Sequence, residues 1–250
     1  MITQYRFALK GSNPLRSAAA YHLYAWLLAQ LPCEFGDLLH EQGETPLSQF
    51  LYYDRQLQCM VWVVNLLGEE TEQSLSAVLC RCPEIILREG RFIAQTLTVT
   101  SFDTPEDFLI CARKKPQLRL STLNIVTPAA FKQQGRYTIF PSERLLLQSL
   151  LMKWNRSFPD YPMEDEDALR MLEEGLHITD YRLRSVRYPL KQTKVAGFQG
   201  ELRLEAKMSP PIAELWNILK EFSAYSGIGI KTTLGMGGVL LPDGEALNAF

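Results

Sequence analysis

The order in which hydrophobic periodicity changes along the chain narrows its fold more than any other feature. Ile2 to Lys10 alternates and runs into the turn signal Gly11-Ser12-Asn13-Pro14, which predicts a strand. From about Ser17 a helix is expected, because Tyr21, Tyr24, Ala25, Leu28 and Leu31 recur at helical spacing. Pro32 interrupts it, and a shorter helical piece, Glu34 to Leu39, follows. Gln49 to Tyr53 and Gln58 to Leu66 are aromatic and β-branched runs separated by Asp54-Arg55-Gln56, the pattern of a hairpin. Glu69 to Cys82 reads as a helix whose acidic start suits the positive end of a helix dipole. Arg91 to Phe102 returns to strand.

The same order then follows again. Gln117 to Thr127 is strand-like, and Ser142 caps a helix carrying Leu145, Leu146, Ser149, Leu150 and Trp154 at core spacing. His177 to Tyr188 and Lys194 to Lys207 predict a long hairpin. Pro210-Pro211 opens a helix with Ile212, Leu215, Trp216, Leu219 and Phe222 on one face, and Gly238 to Leu241 begins a last strand. Two successive βαββαβ orders predict an α+β chain of tandem ferredoxin-like (RRM-like) domains, residues 1–112 and 117–250, with no close residue-level repeat. The 250 residues suffice for two small domains. The join is expected around Phe108 to Pro116, which carries the basic run Arg113-Lys114-Lys115. The acidic stretch Asp160 to Asp167 reads as an exposed insertion.

Between the last helix and the last strand lies Gly227-Ile228-Gly229-Ile230-Lys231-Thr232-Thr233-Leu234-Gly235-Met236-Gly237-Gly238. So many glycines permit positive φ angles and close backbone approach to a ligand, and N–H groups beside Lys231, Thr232 and Thr233 suit an anionic backbone. A mononucleotide loop needs Gly and Lys adjacent, whereas Ile230 precedes Lys231. The dinucleotide fingerprint needs glycine where Thr232 stands. Both motifs run strand, loop, helix, the reverse of the order here. A tight connection alone needs one or two glycines, so Gly227, Gly229, Lys231, Gly235 and Gly237 are expected at a ligand.

The place of this loop in a second βαββαβ unit resembles the CRISPR-associated repeat-processing endoribonucleases, and the resemblance runs through most of the chain. Thr127-Pro128-Ala129-Ala130-Phe131, Gly135-Arg136-Tyr137 and Lys153-Trp154-Asn155 look like the opening of that family's second domain. Leu39-His40-Glu41 followed by Thr45-Pro46-Leu47 resembles its first-domain catalytic region. The resemblance implies a metal-independent endoribonuclease that cuts CRISPR repeat RNA (pre-crRNA) by 2′-hydroxyl attack. Its products would be guide RNAs with 5′-hydroxyl and 2′,3′-cyclic phosphate ends. It implies no cofactor, repeat RNA or crRNA as partner, and a multi-subunit CRISPR effector complex as a further partner.

Metal-free cleavage requires proton transfer at two oxygens, which histidine performs well because its pKa of about 6.5 lies near the working pH. The histidines are His22, His40 and His177. His22 lies in the apolar first helix beside Trp26 and reads as packed or hydrogen-bonded. His177 begins a hairpin strand, where it contacts RNA or faces solvent. His40 precedes the loop Glu41-Gln42-Gly43-Glu44, and the resemblance makes it catalytic. Some relatives pair the histidine with a tyrosine of the first helix and a nearby lysine. Tyr24 and Tyr21 both qualify, with Tyr24 nearer the helix centre, and both also lie on the core stripe. No lysine or arginine occurs between His40 and Asp54, so stabilising the pentacoordinate phosphate falls to a cation from elsewhere in the fold or to none.

The formal charge of −2 rules out a global attraction for nucleic acid, so any RNA surface must be a local patch. From Leu176 to Lys207 the cations Arg182, Arg184, Arg187, Lys191, Lys194, Arg203 and Lys207 outnumber the acids Asp180, Glu201 and Glu205. Arg182, Arg184, Arg187, Lys191 and Lys194 are expected to clamp RNA phosphates; the alternative is a charge-protected sheet edge. The five cysteines include no C-x-x-C pair, and no His or Cys cluster suggests a metal site. The start of the sequence lacks a signal-peptide core, and Ala18 to Leu31 is too short to span a membrane, so a cytoplasmic protein with no membrane partner is expected. A non-catalytic RNA-binding subunit of a CRISPR effector complex would share the fold and the loop but would not need His40. A small-molecule sensor would not need the basic hairpin.

Overall fold

Two antiparallel sheets carry the chain; the computed structural model describes residues 1–11, 13–31, 46–81, 84–190 and 193–242. The first sheet is built from β1 (Ile2–Gly11), β2 (Leu47–Asp54), β3 (Cys59–Leu67), β4 (Glu84–Leu87) and β5 (Gly90–Phe102), in the order β2-β3-β1-β5-β4. A 3-10 turn over Ser17–Ala19 leads into α1 (Ala20–Leu28), and α2 (Glu69–Cys80) follows β3. Leu23 and Leu27 of α1 and Leu75 and Leu79 of α2 bury against Phe7, Trp62 and Val64. β4 was not legible in the sequence. It has four residues and pairs only with β5, at the sheet edge.

The stretch Phe108 to Pro116, expected as the join, instead falls largely within a helix, α3 (Pro105–Lys114). Thr104 and Asp107 close a capping box at its start. Phe108 is 2% exposed and packs edge-on against Phe102, Phe222 and Tyr225. The basic run is anchored too, since Arg113 and Lys115 pair with Glu214 and Glu221. The connection between the sheets is therefore a packed element rather than a loose linker.

The second sheet is built from β6 (Leu120–Ala129), β9 (Leu176–Leu190), β10 (Thr193–Ala206) and β11 (Val239–Leu240), in the order β11-β6-β10-β9. Between β6 and β9 the chain forms the small hairpin β7 (Phe131–Gln133) and β8 (Arg136–Thr138), then α4 (Glu143–Ser157) and α5 (Glu166–Gly175). Ser142 caps α4 as expected, accepting from the Leu145 N–H at 3.3 Å. The acidic stretch is exposed, but it is not merely an insertion: Asp165 caps α5, and Glu166 and Asp167 form its first turn. α6 (Pro210–Ser226) completes the unit, and α4 and α6 bury Leu146, Leu150, Trp216 and Leu219 against Ile125, Leu202 and Leu204.

With β4 set aside, both sheets have the strand order last, first, third, second of a ferredoxin-like unit. The sheets meet where Phe50, Val61 and Val63 pack against Val126 and Leu240. Contact on both faces explains why β3 is buried almost without alternation.

Candidate nucleic-acid interface

α6 ends at Gly227, and the chain folds back along the end of β6. Gly237 N–H donates to the Pro128 carbonyl at 2.9 Å, and Ile230 N–H to the Ala130 carbonyl at 2.9 Å. Gly238 N–H donates to Thr127 Oγ1 and Gly229 N–H to Ser149 Oγ, both at 2.8 Å. The Thr127-Pro128-Ala129-Ala130 segment is thus the rail from which the glycine loop hangs. This gives a physical reason for two distant motifs to occur together. A Cβ at Gly237 would lie 2.0 Å from the Ile228 carbonyl oxygen, so the protein's own backbone already demands glycine there. Gly227, Gly235 and Gly237 are buried, and Gly229 is half-buried.

What remains for a ligand is the tip. Lys231 sits at φ +58, and Lys231, Thr232 and Thr233 are half-buried. Among the described residues, their N–H groups have no hydrogen-bond partner. Two side chains that the sequence did not single out for a role set the tip's position. Lys153 Nζ donates to the Ser226 and Gly227 carbonyls, both at 3.1 Å, and reaches Thr232 Oγ1 at 3.4 Å. Gln49, fully buried, donates to the Ala20 carbonyl at 2.8 Å and the Thr233 carbonyl at 2.9 Å, and accepts from Trp62 Nε1 at 2.9 Å. Lys153 had a signal, as part of the Lys153-Trp154-Asn155 match. Gln49 had none beyond being polar in an apolar run.

The basic hairpin is divided by its register. Arg182 pairs with Glu201 and Arg184 with Gln199, which places these two arginines on one face. Arg187 pairs with Ala196 and Lys194 with Pro189, on the other face. All four are exposed. Arg184 donates to Gln199 Oε1 at 3.3 Å, while Arg182, Arg187 and Lys194 have no ion-pair partner among the described residues. Their charge is available to a ligand. Arg203 and Lys207 are committed instead, to Glu201 at 3.0 Å and Glu205 at 2.8 Å. Lys191 lies outside the described residues.

His40 also lies outside the described residues. Tyr24 is 9% exposed, on the core face of α1 with Leu23 and Leu27. Tyr21 packs against the cluster of Ala130, Tyr188 and Met236, beneath the glycine loop. His22 is hydrogen-bonded, as expected, with Nδ1 2.6 Å from Glu89 Oε1. His177 is exposed at the start of β9. Among the described residues, no three His, Cys, Asp or Glu side chains are grouped to hold a metal ion, and no helix is long and apolar enough to cross a membrane.

The family model described as CRISPR-associated endoribonuclease Cas6 matches residues 123–239. A CRISPR-associated endoribonuclease Cas6 of Streptococcus thermophilus is 30% identical over 225 residues, which is 90% of this chain and 91% of that protein. One of Mycobacterium tuberculosis is 25% identical over 221 residues, 87% of this chain and 70% of that protein. Among solved structures, Thermus thermophilus Cas6 aligns with a TM-score of 0.72 at 22% identity, covering 97% of this chain and 98% of that one. A Cas6 product complex aligns with a TM-score of 0.76, also at 22% identity, over 97% and 100%.

Proposed function

The chain belongs to the family of CRISPR-associated endoribonuclease Cas6, and from that premise we propose that it cuts CRISPR repeat RNA (pre-crRNA) without a metal ion, leaving guide RNAs with 2′,3′-cyclic phosphate and 5′-hydroxyl ends. The observation that carries the reading is the nearly end-to-end likeness to the Streptococcus endoribonuclease. The interface supports it: the loop tip offers Lys231 and three N–H groups, and β9 and β10 add cations suited to RNA phosphates, all without a partner for that N–H or charge among the described residues.

In the chemistry, the 2′-oxygen upstream of the cut forms a bond to phosphorus while the bond to the 5′-oxygen breaks. The proton of the 2′-hydroxyl passes to a base, and the leaving 5′-oxygen takes a proton from an acid. RNA carries this nucleophile beside the phosphorus, so positioning replaces the generation of hydroxide. His40 serves as the proton-transfer group and Tyr24 as its partner from α1. Lys231 and the exposed arginines of β9 hold the substrate.

The test compares all-RNA repeats with repeats carrying a single 2′-deoxy nucleotide upstream of the cut, in excess chelator. Uncut but tightly bound deoxy-substituted RNA, with cyclic phosphate on the all-RNA product, is expected. His40→Ala should lower the cleavage rate by about 10²–10⁴-fold with affinity within a few-fold of wild type. Chelator-sensitive cutting or a 5′-phosphate on the downstream fragment would refute the mechanism. A fully active His40→Ala would refute the assignment of that residue.

A further inference from the structure

A cleft of about 420 Å³ opens between the turn that precedes α1, the turn joining β4 and β5, and the end of β9. Its volume lies in the range of small-ligand sites, about 300–1,000 Å³. Arg16, Tyr21, His22, Arg88, Glu89 and Pro189 are among its lining residues. Arg16 and Arg88 are exposed, and neither side chain makes an ion pair or hydrogen bond with a described residue. Acids are not lacking nearby. Arg91, three residues from Arg88, pairs with Glu84 at 3.2 Å.

Glu89 lies in the same cleft, yet it does not neutralise the arginines. One carboxylate oxygen is 2.6 Å from His22 Nδ1, and the other is buried with no partner among the described residues. That bond orients the imidazole, and only Nε2 of the ring remains for a ligand. Two unpaired guanidinium groups and an oriented imidazole around one cleft suit an anionic oxygen. The turn that lines the cleft is also tied to the glycine loop. The Tyr188 hydroxyl lies 3.2 Å from the Ser17 carbonyl and 3.0 Å from the Leu234 carbonyl, so one residue joins the cleft wall to the glycine loop.

We propose that this cleft is a second RNA subsite beside the glycine loop, which takes a backbone phosphodiester of the repeat, gripped by Arg16 and Arg88 beside the His22–Glu89 pair. The proposal rests on the RNA-binding reading above. The test measures affinity of the full chain for repeat RNA across a range of salt. A lost phosphate contact should lower the slope of log K against log salt by about 0.7–0.9, so Arg16→Ala/Arg88→Ala, which frees the one phosphodiester, should lower it by that amount and weaken binding more than tenfold. Arg55→Ala, which removes the same charge at the turn between β2 and β3, should leave the slope unchanged. Wild-type binding with an unchanged slope in the double variant, or an equal drop in Arg55→Ala, would overturn the subsite alone. Failure of the wild type to bind repeat RNA would overturn the functional reading and the subsite with it. Inorganic phosphate is the second probe. If it raises the unfolding midpoint of wild type but not of the double variant while the RNA salt slope is the same in both, the cleft serves a free anion and the RNA assignment falls.

Discussion

Replacing Gly235 with alanine should damage the fold far more than a single methyl group suggests. Gly235 holds φ +95 directly after the 3-10 turn Thr232–Leu234. Its added Cβ would lie 2.4 Å from Ala20 Cβ and 2.5 Å from the Tyr188 hydroxyl. Ala20 is fully buried at the first turn of α1, so it cannot move aside without shifting the helix. A left-handed conformation costs a residue with a Cβ about 1–2 kcal/mol. Overpacking adds about 1–3 kcal/mol, and displacement of the Tyr188 hydroxyl from its carbonyl acceptors adds about 0.5–1.5 kcal/mol. The total, about 2.5–6.5 kcal/mol, is a large share of a typical stability of about 5–15 kcal/mol. Gly135→Ala is the control. It has φ +80 with nothing within 4 Å of the added Cβ, so it should show only the conformational cost of about 1–2 kcal/mol. Urea denaturation of wild type and both variants measures the difference. If Gly235→Ala falls within 1 kcal/mol (roughly the spread of a single hydrogen bond) of Gly135→Ala, the packing argument is wrong.

Two further variants separate binding from stability. Lys231→Gly should raise stability by about 1 kcal/mol, because Lys231 sits at φ +58, while it weakens repeat-RNA binding; stability by denaturation and affinity by titration should move in opposite directions. Tyr188→Phe tests a pH effect: burial raises the phenol's pKa above the ordinary value of about 10. The unfolded chain therefore releases this proton first, so the contribution of Tyr188 is complete below about pH 10 and declines as pH rises above it. The variant should lose about 0.5–1.5 kcal/mol at neutral pH and show an alkaline decline shallower by about 1.4 kcal/mol per pH unit. An unchanged alkaline slope in the stability profile would count against a buried neutral phenol.

Periodicity made the long elements legible, because β1, the β2–β3 hairpin, α4, α6 and the β9–β10 hairpin each repeat their pattern over many residues. What it missed was short or masked by charge. β4 has four residues, too few for an alternation to register. β7 and β8 have three each, joined through Gln134 and Gly135 at φ +49 and +80, a two-residue turn whose signal is Gly135 alone. α3 had a readable start in Thr104-Pro105-Glu106-Asp107, but the basic run at its end suggested a linker. At the interface, composition picked out the cations of β9 and β10, while only the pairing register shows that Arg182 and Arg187 face opposite ways. Arg16 and Arg88 are 72 positions apart and meet only because α1 and the β4–β5 turn fold to one cleft. No spacing rule finds such a pair.

The loop's glycines and its anchors divide one task between them. Gln49 uses both amide hydrogens, one on the Ala20 carbonyl at the start of α1 and one on the Thr233 carbonyl at the loop tip. The Tyr188 hydroxyl bridges Ser17 and Leu234 beside it, so two consecutive ties hold the tip against the beginning of α1. Freeing the tip would leave buried polar groups unpaired, at about 1–3 kcal/mol each. The glycines allow the close approach that these ties need, and the N–H groups of Gly229, Gly237 and Gly238 are spent on α4 and β6. Among the described residues of the loop, only Lys231, Thr232 and Thr233 have N–H groups without a partner, and the ties hold these three in place. Such preorganisation lowers the ordering cost of binding a phosphate. It also fixes the loop relative to α1, the helix that carries Tyr24 one turn beyond Ala20, so the loop tip proposed to hold RNA and the tyrosine proposed to aid its cleavage share one rigid frame.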